Sequence, residues 1–133
     1  MTWLTYLFLR FTRCRNAASA VEFAILVPVF LVLVFGIIVF GSYLAMVHGV
    51  QQLAAEAARR SIAGLNNTER ASLAAGYVGA NAGSYPLLAA DRLTVASATS
   101  GSNVFVVTVD YDASQSFIYA LPTFVPMPPS RIE

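Results

Sequence analysis

The sequence predicts an α+β protein: a long N-terminal hydrophobic helix, or transmembrane spine, continuing into a small extracytoplasmic domain. That domain holds a short helix and a two- to three-stranded antiparallel sheet. Three observations carry this reading. From Phe23 to Val47 run twenty-five residues without one Asp, Glu, Lys, Arg or His. Beyond them Val50, Leu53, Ala54, Ala57 and Ser61 recur at helical spacing on one face, with Gln51, Gln52, Glu56, Arg59 and Arg60 largely elsewhere. Further on, Arg92–Ala98 and Asn103–Tyr111 alternate in the period-two manner of hairpin strands around Thr99-Ser100-Gly101-Ser102.

The leader comes first. Met1–Ala17 carries Trp3, Leu4, Tyr6, Leu7, Phe8 and Leu9 ahead of Arg10, Arg13 and Arg15. Such a stretch suits a short interfacial helix or a leader that is later discarded. All eight basic residues are Arg, and three precede the apolar run. The positive-inside bias therefore puts the N-terminus in the cytoplasm and everything after Val47 outside it.

The apolar run comes next. At about 1.5 Å per residue it covers about 37 Å as a helix, enough for a hydrocarbon core of about 30 Å with some tilt. A cleaved secretory signal has an apolar region of about 7–15 residues followed by small residues. Here the run is longer and the small residues, Ala17-Ala18-Ser19-Ala20, precede it. The helix is thus expected to stay in the bilayer, with any cut on its cytoplasmic side. Pro28 falls inside this helix, where it removes one backbone hydrogen bond and predicts a kink. Gly36 and Gly41 offer close approach to a neighbouring helix, although their spacing is not that of a GxxxG pair.

Glu22 stands at the mouth of the run. A carboxylate at the centre of a membrane helix costs about 2.5–3.5 kcal/mol on insertion scales, and less near the interface. Two accounts fit. The acid sits in the first helical turns, favoured by the helix dipole and snorkelling to the headgroups. Alternatively, a cation compensates it when subunits pack side by side.

Past the membrane the helix is expected to continue to about Ala63, with Glu56 within reach of Arg59 or Arg60. Gly64 suits a helix stop, and Asn66-Asn67-Thr68 supplies a cap for a second helix from Thr68 to about Ala80. Ala82-Gly83-Ser84-Tyr85-Pro86 reads as a loop. Leu93, Val95 and Ser97 share one face of the first strand. In the second, Val104, Val106, Thr108 and Asp110 lie opposite Phe105, Val107, Val109 and Tyr111. The tail places Phe117, Ile118, Tyr119, Phe124 and Val125 among four prolines, which limits any third strand there to a short edge.

Composition excludes several functions. Net charge is +1, so there is no electrostatic footprint for nucleic acid. The single cysteine, Cys14, lies in the leader, so the exported part has no disulfide. His48 is the only histidine and sits where the helix leaves the bilayer. Asp110 and Asp112 share a strand face, where two exposed acids are ordinarily solvated. No cluster has metal-ligand spacing, and no nucleophile–base pair or phosphate loop occurs. The chain is expected to be no enzyme, to use no cofactor or metal, and to take no small-molecule substrate.

The segment Ala17-Ala18-Ser19-Ala20-Val21-Glu22-Phe23-Ala24, with arginines before it and Leu26-Val27-Pro28 after it, resembles the processing site of type IV-like pilins. More narrowly, Ala-Val-Glu-Phe-Ala opening an apolar helix with a Gln/Ala/Arg-rich continuation is similar to the TadE-like minor pseudopilins of tight-adherence (Flp) pilus systems. The likeness runs from Arg10 to about Ala63. It implies cutting by a membrane prepilin peptidase between Ala17 and Ala18, leaving Glu22 fifth and Phe23 sixth in the mature chain. The family usually has Gly before the cut, and here Ala17 stands there. A new α-amine has an ordinary pKa of about 7.7–8.0 and is largely protonated at neutral pH. The resemblance gives Glu22 the role of pairing with such an amine on a neighbour. Within one chain Ala18 and Glu22 are also one helical turn apart, so an intrachain pair stays open.

The implied organisation is a leader over 1–17, a pilin-like membrane helix over 18–47 and an extracytoplasmic domain over 48–133. The implied partners are the bacterial inner membrane, the prepilin peptidase, other pilins or pseudopilins and the pilus assembly platform. The folded part then faces the periplasm, or the exterior once a pilus is built. The competing reading is an uncleaved single-pass accessory or signalling protein.

Overall fold

The computed structural model describes residues 15–100, 104–121 and 125–133, and the side chains of 15–18, 98 and 100 are not among those described. The leader before residue 15 with Cys14, residues 101–103 where the sequence predicts a turn, and Pro122 and Phe124 lie outside the described residues. Helix α1 spans Arg15–Ser61 and helix α2 spans Asn67–Asn81. Strands β1 (Leu93–Ser100), β2 (Val104–Asp112) and β3 (Arg131–Ile132) form one antiparallel sheet in that order. The α+β layout predicted from sequence is therefore present. The chain divides into two compact units between Ile37 and Ile38, within α1.

The described part of the first unit, residues 15–37, is one continuous helix whose side chains from Phe23 onward are apolar on every side. Val21, Phe23, Ile25, Val29 and Phe30 are all exposed. Only 6% of the most apolar stretch is buried, which the core helix of a soluble domain would not show. A helix is the conformation that satisfies its own backbone where no water is at hand, so this composition and this conformation agree. It fits a single-pass membrane anchor.

The second unit, Ile38–Glu133, has an ordinary core. Along α1 Val39 is buried, and one helical face buries Met46, Val50, Leu53, Ala57 and Ser61 at steps of three and four, with Gly49 beside them. Ala74 and Val78 of α2 join them, as do Val109 and Tyr111 of β2 and Ile132 of β3. Each large apolar side chain removed from water there contributes about 1.5–3 kcal/mol. Residues on the other face of α1 carry charge. Arg59 meets Glu56 at 3.1 Å in an exposed pair, and the Arg60 guanidinium lies 5.6 Å from the centre of the Tyr77 ring.

Cross-strand register decides which sheet face is wet. Leu93 faces Tyr111, Val95 faces Val109 and Ser97 faces Val107, so these side chains share the core face. Thr94, Ala96, Val104 and Val106 occupy the other face and are exposed. The alternation read from sequence holds in both strands. The first strand extends two residues beyond Ala98, to Ser100, because backbone pairing continues to Ser100–Val104.

The third strand differs from the expectation in place. Phe117–Ala120 is a 3-10 turn, and the short edge strand comes after the prolines, at Arg131–Ile132. The Tyr119 hydroxyl donates to the Pro129 carbonyl at 2.8 Å, with that of Pro128 at 3.0 Å. That bond ties the proline run back onto the turn, and chain without amide donors cannot itself extend a ladder.

Between the helices Gly64 acts through its size. A β-carbon there would stand 2.7 Å from the Arg70 backbone nitrogen. That space lets α2 start tight against the end of α1. Asn66 caps α2 by accepting from the Glu69 N–H at 2.8 Å, and Glu69 accepts from the Leu65 N–H at 2.9 Å.

Candidate processing and assembly site

The residues singled out by sequence all lie on α1. The backbone of Ala17 and Ala18 is helical. Glu22 follows Ala18 by one turn, about 6 Å along the axis, and therefore lies on the same helical face. Glu22 is exposed, and Phe23 beside it is 69% exposed. No ion pair of Glu22 forms among the described side chains. An exposed acid directly before a sheath of exposed Val, Ile, Leu and Phe is the electrostatic character of this end.

Pro28 sits inside α1, and helix continues on both sides of it. Its ring nitrogen has no hydrogen for the Ala24 carbonyl, so one rung of the helix ladder is missing there. Gly36 and Gly41 have open space where a β-carbon would be, so neither is required by packing within the chain.

A shallow polar recess lies in the second unit, lined by Arg92, Thr94, Asp110, Asp112, Ser130 and Arg131. Its charges are largely used internally. Arg131 meets Asp110 at 3.5 Å and Glu133 at 3.7 Å, while Arg92 donates to Gln115 at 3.2 Å. Asp112 accepts from the Ser114 N–H at 2.9 Å, and that bond chiefly holds its carboxyl below the usual carboxylate range. Burial pushes the Tyr85 and Tyr119 hydroxyls up. Among the described residues no three His, Cys, Asp or Glu side chains converge as a metal site.

The distinguishing feature of the molecule is therefore the exposed apolar helix and the acid at its mouth. The model of the TadE-like protein family matches residues 17–59. The matched segment covers about a third of the chain. No curated protein and no solved structure matches the chain. The TadE-like segment opens at Ala17 and closes two residues before α1 ends, so it contains Glu22, Phe23 and Pro28 as well as the buried stripe Met46–Ala57. The sheet and α2 lie beyond it.

Sequence reasoning passed over one group in the second unit, the Tyr111 hydroxyl. It donates to the Leu87 carbonyl at 3.1 Å and accepts from the Ala89 N–H at 3.4 Å. Leu87 has a φ of 72°, a left-handed conformation that costs a branched residue about 1–2 kcal/mol. The clamp holds that loop in place. Nothing local in Tyr85-Pro86-Leu87-Leu88 announces it, because its partner lies on β2.

Proposed function

We propose that this chain is a minor pseudopilin-like subunit for assembly of a tight-adherence (Flp) pilus. It is inserted in the bacterial inner membrane with its N-terminus cytoplasmic and its folded unit periplasmic. A prepilin peptidase cuts between Ala17 and Ala18. The mature helix then packs against other pilins or pseudopilins at the assembly platform. The observation that carries the reading is the exposed apolar helix opening on Glu22 within the TadE-like segment 17–59.

The mechanism follows from charge and packing. Van der Waals contact between apolar helices supplies association without specifying register. Glu22 supplies register, because its carboxylate is tolerated in hydrocarbon only opposite a cation, and the amine freed at Ala18 is one. The bond missing at Pro28 gives the helix a point at which to bend during extraction from the bilayer. The polypeptide itself performs no chemistry and uses no cofactor.

Ala17 before the cut, in place of the usual glycine, favours a second reading, an uncleaved single-pass accessory or signalling protein. Intact-mass measurement of the purified membrane form separates the two. A species beginning at Ala18 supports the pseudopilin, and a stable full-length chain supports the anchor. In cells making pili, Glu22→Gln should leave membrane insertion intact while reducing incorporation about tenfold or more, the loss of at least about 1.4 kcal/mol in pairing. Equal incorporation of the variant would remove Glu22 from the mechanism.

A further inference from the structure

The helix read as crossing the membrane also supplies a buried stripe to the core of the folded unit, and the two demands overlap in sequence. Counting from Phe23, the first residue past the acid, about 20 residues are needed for about 30 Å of hydrocarbon. That count ends near Ser42. Tilt moves the exit later in the chain. Yet Val39 is fully buried, Tyr43 is half-buried and Met46 is fully buried, all within the unit that begins at Ile38. Protein therefore already covers one side of α1 at the depth where the bilayer ends.

Phe117–Ala120 is among the segments that lie at this level. Ser116 Oγ is 3.8 Å from Met46 Sδ, which fixes the start of that turn beside the helix. Met46 lies about 6 Å beyond Ser42 along the axis, inside the headgroup layer. Phe117, the next residue, is 48% exposed, and Tyr119 is half-buried with its hydroxyl on backbone carbonyls. On the helix, Phe40 and Leu44, about 9 Å and about 3 Å before Met46 along the axis, are exposed as well. Aromatic side chains are favoured at just this depth, where the ring meets acyl chain and the polar end meets water.

We infer that the base of the folded unit, formed by Phe40, Tyr43, Leu44, Phe117 and Tyr119, is seated in the interfacial layer of the bilayer. The occupant of this apolar surface is lipid, supplied by the continuity of α1 with the span. The inference rests on membrane spanning alone and is independent of cleavage at Ala18 or entry into a pilus. It goes beyond the pseudopilin reading by assigning the surface a partner before any assembly begins.

Tryptophan placed at chosen depths tests this. The full chain carries one tryptophan, Trp3, replaced by Phe in the background. Phe30→Trp, Phe117→Trp and Leu65→Trp are each reconstituted in vesicles of phosphatidylethanolamine and phosphatidylglycerol. A fraction of the lipid is brominated either near the carbonyl end or near the chain terminus. Leu65 is 91% exposed just past the end of α1, whose last residue, Ser61, lies about 26 Å beyond Leu44 at the helical rise, and serves as the lipid-free control.

Phe30→Trp should be quenched most by deep bromines. Phe117→Trp should lose at least about half as much emission as Phe30→Trp, with shallow bromines more effective. Leu65→Trp should be unaffected. Quenching at Phe117→Trp no greater than at Leu65→Trp overturns the inference. So does a blue-shifted but unquenched emission, which would mean that a second copy covers the surface. Silence at Phe30→Trp would remove the span itself and the pseudopilin reading with it. Leu44→Trp reads the same depth from the helix should Phe117→Trp fail to fold, and an unquenched signal there overturns the inference equally.

Discussion

Residues 15–37 and residues 38–61 belong to one helix, yet they solve different problems. From Phe23 onward in the first stretch the exposed side chains are apolar on all sides, and Phe23, Val29 and Phe30 point outward without cover. In the second, a stripe of Met46, Val50, Leu53 and Ala57 is buried while Gln51, Gln52, Arg59 and Arg60 stay in solvent. The conformation is the same, and the surroundings differ. A helix in lipid needs no polar face, whereas a helix half in water needs one to stay soluble and one to hold a core.

Leucine substitutions in the two stretches should show the largest contrast. Leu53 is fully buried, and Leu53→Ala should destabilise the folded unit by about 2–5 kcal/mol through lost burial and a cavity. Leu33 is more than half exposed, and Leu33→Ala should leave that unit's melting unchanged to within about 0.5 kcal/mol. Near-UV circular dichroism in detergent micelles reads both. A comparable fall in melting temperature at Leu33→Ala would show that the two stretches are not separate in stability.

That contrast also explains what was readable in advance. Lipid and protein core select the same residue types, so the apolar run continues to Val47 without marking the division between the two compact units at Ile37–Ile38. Period was more informative than composition: the stripe from Val50 to Ser61 and the alternation through Val109 and Tyr111 emerged as read. The cap at Asn66 was legible because its chemistry is local. The edge strand Arg131–Ile132 was not, because two residues carry no period, and its pairing with Tyr111 and Asp112 is set by the tail's return. Leu87 escaped for a related reason, since its conformation is held by a hydroxyl more than twenty residues away. At the candidate site, the positions of Ala17, Ala18, Glu22 and Phe23 followed from motif alone, and no ion pair of Glu22 forms among the described side chains, so the intersubunit pairing stays part of the proposal.

Glycines sharpen the comparison at intermediate size. Gly64→Ala places a methyl against the Arg70 backbone, which cannot yield as a side-chain tip can. The expected loss is about 1–3 kcal/mol, or roughly 4–8 °C in melting temperature per kcal/mol for a unit of this size. Gly36→Ala meets nothing within 4 Å and should leave the folded unit unaffected. Its effect belongs instead to contact with a neighbouring helix, where a methyl blocks close approach. Should Gly64→Ala melt like the parent, α2 must start farther from α1 than the structure places it.

The smallest effect is the acid sensitivity of the folded unit at Asp112. The Ser114 N–H is the main cause of its lowered pKa, the Ser114 hydroxyl adds to this, and Arg92 and Arg131 contribute from farther away. Because the folded value lies below the unfolded one, near about 3.9, the unfolded chain binds the proton more readily. The contribution is thus fully present above the unfolded value and fades as pH falls through the folded one. Asp112 is exposed, so the effect is small beside the core substitutions. Asp112→Asn keeps an oxygen to accept from Ser114 and removes the titration. Between pH 6 and pH 3 the variant should therefore lose less melting temperature than the parent. The fall in the parent belongs to other carboxylates if the two curves run parallel, and the turn after β2 is then held by its backbone bonds alone, with Ala113 N–H on the Ser130 carbonyl at 2.7 Å as the first of them.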